Sequence, residues 1–270
     1  MVRPQTLAYS PSKAEPQPRA QRGVPAGAGL AVSLALAVLL WKLLVMLRDY
    51  PAFILPAPEV VLQRLVTELT EGTLRRHAGL TLVESLGGFG ISLAVSLALG
   101  YLLAHAPRLE RIVAPQLAAT QAIPVVAIAP LIILWVGSDI RSKILVAALV
   151  TFFPILSSTV VALRGVPREL LEMAKISGAN GWQALWHVEL PLALPGIFAG
   201  VKSGLALATT GAVVGEFVGA RDGLGALINI SRGLFDTALM FVALISLAAL
   251  TLSFYLVAVL LERALVRWES

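Results

Sequence analysis

The sequence predicts an all-α integral membrane protein with six transmembrane helices, and three observations carry that expectation. Of 270 residues, 57% are hydrophobic and only 14% charged, with a mean hydropathy of +0.84; soluble domains carry about 25% charged residues. Apolar runs recur that approach or exceed the roughly 20 residues needed to cross a hydrocarbon core about 30 Å thick. Between two of them lies PRELLEMAKISGANGWQALWHVELP (167–191), a charged helix-turn-helix held outside the apolar segments.

Residues 1–27 carry Pro4, Pro11, Pro16, Pro18 and Pro25 among Gln, Arg, Ser and Ala. Such a composition cannot bury a core and predicts a flexible tail. The first span is expected at 30–47, with 28–54 forming the anchor and the start of an outer loop. Trp41-Lys42 stands where small residues would mark a cleavage site, so the segment reads as a retained anchor rather than a signal peptide. Residues 55–79 are too polar to span. Val60, Val61, Leu62, Leu65, Val66 and Leu69 recur there at helical spacing, predicting an amphipathic interfacial helix started by Pro58 and stopped near Gly72.

A transport core is expected over 80–263. Its second span, 80–104, is rich in Gly and Ser, which let helices approach closely in lipid. The third, 113–136, is interrupted by Pro115, Pro124 and Pro130; the fourth, 144–163, contains Pro154. The fifth and sixth are expected at 192–218 and 238–261, with 264–270 a C-terminal tail. Six spans put both termini on one side. Lys and Arg are more numerous on that side and in the 164–191 loop, which places termini and loop in the cytoplasm. The net charge of +5 does not indicate nucleic acid, because the basic residues sit at segment ends rather than on one face. The absence of cysteine excludes disulfides, thiolate metal sites and cysteine nucleophiles.

Within the loop, Pro167 suits the first turn of a helix. Glu169 and Glu172 lie toward its positive end and Lys175 toward its negative end. Gly178 suits the left-handed position after the last turn. Asn180 is placed to cap a second helix, with Gln183 completing a capping box. Trp182, Leu185 and Trp186 share one face of that helix. An ordinary hairpin folded on its own bundle is one reading; a docking element is the other, favoured by the two tryptophans, since buried aromatics dominate interface energetics.

The pattern Glu172-Met173-Ala174, three residues, Gly178, nine residues, then Val188-Glu189-Leu190-Pro191 resembles the EAA loop of ABC-importer permeases, with Met173 and Val188 as mild departures. QAIPVVAIAPLIILWVG (121–137), FFPILSSTVVALRGV (152–166), GAVVGEFVGARDGLGALI (211–228) and LLERALVRW extend the resemblance over about residues 55–268. They are similar to the subfamily that imports nitrate, sulfonates, taurine and vitamin-related pyrimidines. The resemblance implies the type I importer permease fold in a bacterial inner membrane. It also implies a second, identical permease copy, two copies of an ABC ATPase subunit and an extracytoplasmic solute-binding protein. The loop is then the coupling helix, with Glu172, Met173, Ala174, Gly178, Trp182, Leu190 and Pro191 as its ATPase-facing set. Among possible cargoes, the run 121–135 is closest to permeases for thiamine-precursor pyrimidines or riboflavin.

The chain has no G-x-x-x-x-G-K-[ST], so it carries no phosphate-cradling loop, and ATP and Mg are expected in the partner subunit. His77, His105 and His187 are scattered, and no catalytic residue, metal ligand or bound cofactor is expected. Pro124 and Pro130 should bend or unwind the third span, and irregular backbone at membrane depth belongs where it lines a cavity. With Gly211, Gly215 and Glu216 of the fifth span they form the candidate pathway and gate. Small-residue packing is the competing explanation for the glycines, and an interfacial pairing with Arg221 for Glu216. Glu84 and Lys202 pose the same question, Lys202 being expected to snorkel to the surface. The competing functions are a self-sufficient secondary transporter or channel, which needs a mid-membrane relay, and a membrane enzyme, which needs an acid–base or metal constellation.

Overall fold

A computed structural model describes residues 26–48 and 50–266. The expected tail is therefore outside the described residues up to position 25, as are residues 267–270. All regular structure among the described residues is helical: α1 (Ala26–Arg48), α2 (Pro58–Glu71), α3 (Thr73–His105), α4 (Pro107–Thr120), α5 (Val125–Val136), α6 (Ile140–Arg164), α7 (Arg168–Ile176), α8 (Gly181–Ala184), α9 (Leu190–Phe217), α10 (Leu224–Gly233) and α11 (Thr237–Leu265). A π turn, Leu185–Glu189, joins α8 to α9.

Among the described residues, Thr73–His105, Ile140–Arg164, Gly181–Phe217 and Thr237–Leu265 are each long and apolar enough to cross a membrane. The expected first span falls on α1. The expected third span is not one helix: α4 and α5 meet at a bend of 94°. The break lies at 121–124, because a residue before proline is pushed out of the helical region. Ala122 N–H and Ile123 N–H bond three residues back, to Ala119 O and Thr120 O, tightening the last turn. Pro115 and Pro130 remain inside their helices.

Helix α6 is the axis of the bundle, packed between α3 and α9. Small residues set that spacing. A Cβ on Gly211 would lie 2.6 Å from Ala147 Cα, and one on Gly215 3.0 Å from Lys143 Cα, both against α6 backbone. Backbone cannot retreat as a flexible side chain does, so Gly211→Val should destabilise the subunit by about 1–3 kcal/mol through overpacking. Thermal unfolding in detergent reads this; an unchanged midpoint would show that the helices have room to part.

The amphipathic face of α2 has its reason in a core where Val61 and Leu74 meet Leu224, Leu227, Leu239 and Val242 from α10 and α11. A second core joins the ends of α6, α9 and α11 through Leu163, Ile197, Phe198, Val201, Phe254 and Ala258. Lys202 meets an acidic partner on the neighbouring helix. Its Nζ donates to both carboxylate oxygens of Glu262 at 2.8 and 2.9 Å, fastening α9 to α11.

Candidate functional site

The 167–191 segment closes one end of the bundle. Helix α7 begins one residue later than the sequence suggests, with Pro167 at the N-cap position. Glu169 stands in its first turn and Lys175 in its last, complementing the helix dipole. Its C-terminus is a Schellman motif: Ala179 N–H donates to Ala174 O and Gly178 N–H to Lys175 O, each 3.0 Å, with Gly178 at φ +84°. Two residues on, Asn180 Oδ1 accepts from Gln183 N–H while Gln183 Oε1 accepts from Asn180 N–H, both 2.9 Å. This reciprocal box fixes the start of the second helix.

That helix does not stop before the fifth span. The π turn carries it directly into α9, with Leu190 N–H donating to Leu185 O. Pro191 explains the widening: its ring crowds the carbonyl four residues back and offers no N–H to it, and a wider turn relieves both problems.

The loop presents apolar groups outward. Ile176 is 87% exposed, Met173 62% and Trp182 68%, with Leu170 and Trp186 also exposed. The two indoles meet edge to face, centroids 5.5 Å apart. Glu172 is exposed, whereas Ala174, Leu190 and Pro191 are partly buried; Leu171 and Leu190 pack on the core beneath. Under the loop, Glu189 is buried and its carboxylate lies 3.0 Å from His105 Nε2 at the end of α3. Arg164 pairs with Glu110 at 2.5 Å and donates to Leu103 O at 3.2 Å. The loop is thus moored to α3 through Glu189 and to the core through Leu171 and Leu190, while its apolar face is left open.

The opposite end of the bundle holds a buried polar cluster. Glu216, 1% exposed, accepts from Thr81 Oγ1 at 2.6 Å and from Gly225 N–H at 2.5 Å. Thr81 Oγ1 in turn accepts from Leu224 N–H at 2.8 Å, and His77 Nδ1 lies 3.0 Å from Gly223 N, whose N–H it accepts. Three backbone donors entering α10 are thereby satisfied from α3 and α9, as a buried helix start requires. Arg221 is not a partner of Glu216. Glu84, 2% exposed, lies beside Glu216.

The candidate pathway residues fall in two settings. Gly211, Gly215 and Glu216 are buried, whereas Pro124 and Pro130 are exposed on α5. Val125, Ile128 and Ala129 of α5 pack near Val214 and Val218 of α9, so the two groups occupy neighbouring helices. His77 and Thr81 were not singled out from sequence. Their signal was present, since His77, Thr81 and Glu84 recur at helical spacing on one face of α3. Thr81, whose hydroxyl donates to Glu216, is fully buried and its oxygen also caps α10, and the described residues hold no group of acids and histidines suited to a metal. The arrangement leaves an open apolar face at one end and an interhelical lock at the other.

The family described as binding-protein-dependent transport system inner membrane component matches residues 90–267, well over half the chain. The chain belongs to that family. It is a permease subunit of an ABC importer, as its relatives also are. The riboflavin transport system permease protein RibX of Chloroflexus aurantiacus is 60% identical over 242 residues, covering 90% of each chain. The formylaminopyrimidine transport permease protein ThiX of Halalkalibacterium halodurans is 32% identical, covering 86% of this chain and 92% of that one. A putative aliphatic sulfonates permease, SsuC of Bacillus subtilis, is 33% identical, covering 87% and 86%. In fold, the chain matches a subunit of the MetNI methionine ABC transporter in an inward-facing form, with TM-score 0.63 and 24% identity, covering 73% of this chain and 98% of that one. The type I permease fold expected from the EAA-like spacing is the fold observed.

Proposed function

We propose that this permease carries riboflavin, or a closely related heterocycle, inward across a bacterial cytoplasmic membrane, with both termini cytoplasmic. Two identical copies enclose the path, a solute-binding protein delivers the cargo, and two copies of a separate ATPase dock on the 167–191 loops. The observation that carries the cargo is the 60% identity to a riboflavin permease over nine-tenths of both chains. The docking role is supported by an apolar face that is capped, moored and left open. Coupling then requires that ATP favour one conformation of the assembly, since equal affinity shifts nothing.

Reconstitution tests this directly. Proteoliposomes holding the permease, its ATPase and its binding protein should take up riboflavin with ATP and not without it. Uptake by the permease alone would establish a secondary transporter or channel instead. Gly178→Pro should abolish uptake and ATPase co-purification while leaving membrane insertion intact. Proline cannot adopt φ +84° or donate the hydrogen bond to Lys175 O. Normal assembly in that variant would remove the loop from the coupling mechanism.

A further inference from the structure

The bend between α4 and α5 stands at mid-depth in the bundle. On one side of it, Leu117 and Ala118 share a cavity of about 240 Å³ with Phe153 and Leu156 of α6. On the other, Val125 and Ala129 pack near Val146. Positions 121–124 are therefore level with the middle of α6, Ile140–Arg164, itself long and apolar enough to span. These four residues belong to no helix and are exposed. Among the described residues, the carbonyls of Gln121, Ala122 and Ile123 accept no backbone hydrogen bond, and the Gln121 side chain makes no hydrogen bond. Hydrocarbon cannot satisfy such groups, and irregular backbone at membrane depth persists only inside protein or beside water.

Helix α4 shares this character. None of its residues is buried, and Gln116 and Thr120, one turn apart and exposed, carry polar surface from the break toward the 167–191 end. Lipid disfavours such a track, whereas a wetted path uses it. The surroundings carry no charge. No charged side chain stands between Arg111 and Asp139, between Lys143 and Arg164 on α6, or between Lys202 and Glu216 on α9. Carbonyl oxygens repel an anion, and nothing at that depth offsets the cost of stripping its water. We propose that the 121–124 break lines the solute path at mid-depth and selects an uncharged solute, the free carbonyls accepting N–H or O–H groups and the Gln121 amide completing the contact. A flavin or a pyrimidine meets that requirement, and a sulfonate does not. The proposal rests on the reading above that two copies enclose the path.

The chain has no cysteine, so a single introduced thiol reports without background. Ala122→Cys puts one in the break with Gln121 intact, and Thr120→Cys puts one just below it. Leu252→Cys, at a position 56% exposed near the middle of α11, is the lipid-facing control. The permease–ATPase complex in lipid nanodiscs leaves both faces open to a membrane-impermeant methanethiosulfonate. The two break positions should react about tenfold or more faster than Leu252→Cys, because the attacking thiolate forms in water and not in hydrocarbon. Equal rates at all three positions in assembled complexes overturn the path, whether lipid or the second copy covers the break. Riboflavin should slow the reaction of Ala122→Cys, and an alkanesulfonate at the same concentration should not. Adding Gln121→Ala should raise the half-protecting riboflavin concentration about fivefold, the scale of one neutral hydrogen bond. Equal slowing by the sulfonate overturns the selectivity. Riboflavin uptake with a reactive but unprotected thiol overturns the contact and leaves the transport reading standing. Absence of both uptake and protection overturns the two together.

Discussion

Gly223→Ala is expected to lower the stability of the subunit by about 2–5 kcal/mol, combining a left-handed backbone forced on a side chain with overpacking. Gly223 has φ +115°, and a Cβ there would lie 2.3 Å from the carboxyl carbon of Glu216. Glu216 cannot yield without releasing Thr81 and Gly225, and Thr81 cannot yield without releasing Leu224. One methyl group therefore strains the whole attachment of α10 to α3 and α9. Gly219→Ala is the matched control: it lies in the same turn with nothing within 4 Å of a built Cβ, and it should be nearly neutral. Equal unfolding midpoints for the two variants would show that the lock around Glu216 adds no rigidity.

The second large effect is expected at the docking face. Trp182→Ala should weaken binding of the ATPase subunit about 30-fold or more, the result of losing an aromatic anchor of at least ~2 kcal/mol. Trp182 contributes little to its own fold. It is mostly exposed, and its ring contact is to Trp186 on the same segment. The variant should therefore express and unfold like the parent while losing its partner, as titration with purified ATPase would reveal. A parallel loss of stability would mean that the indole belongs to the bundle rather than to an interface.

What was legible in the sequence follows from how far its signals reach. Gly178, Asn180 and Gln183 act on neighbours within a few residues, so the Schellman turn and the capping box can be read without knowing the fold. The small-residue stripe of α3 and the Gly211 and Gly215 pair were readable as composition, although only the packed bundle shows that α6 is what they approach. Prolines gave the existence of a break in the third span but not its place. Pro124 and Pro130 carry the same local signal, and the chain parts at the first. Pro191 was read as a boundary, yet the helix absorbs it by widening one turn.

The lock at the far end was beyond local reading. His77 and Gly223 are 146 residues apart in sequence, and α10 begins with glycines rather than a capping side chain because its caps come from other helices. Arg221, the nearby cation, was the obvious partner for Glu216 in one dimension. In three dimensions the carboxylate faces Thr81 and Gly225 instead.

The continuity of the helix from Gly181 to Phe217 has a mechanical consequence. At 1.5 Å per residue this is a rod of about 55 Å, carrying Trp182 near one tip and Glu216 near the other. Tilting it by about 5° displaces the far tip by about 5 Å, more than a hydrogen bond can stretch. Under the proposed docking role the helix is a lever with the indole-bearing turn at one tip. A partner that grips the indoles would then act at the far end as a pull on the Glu216 clasp.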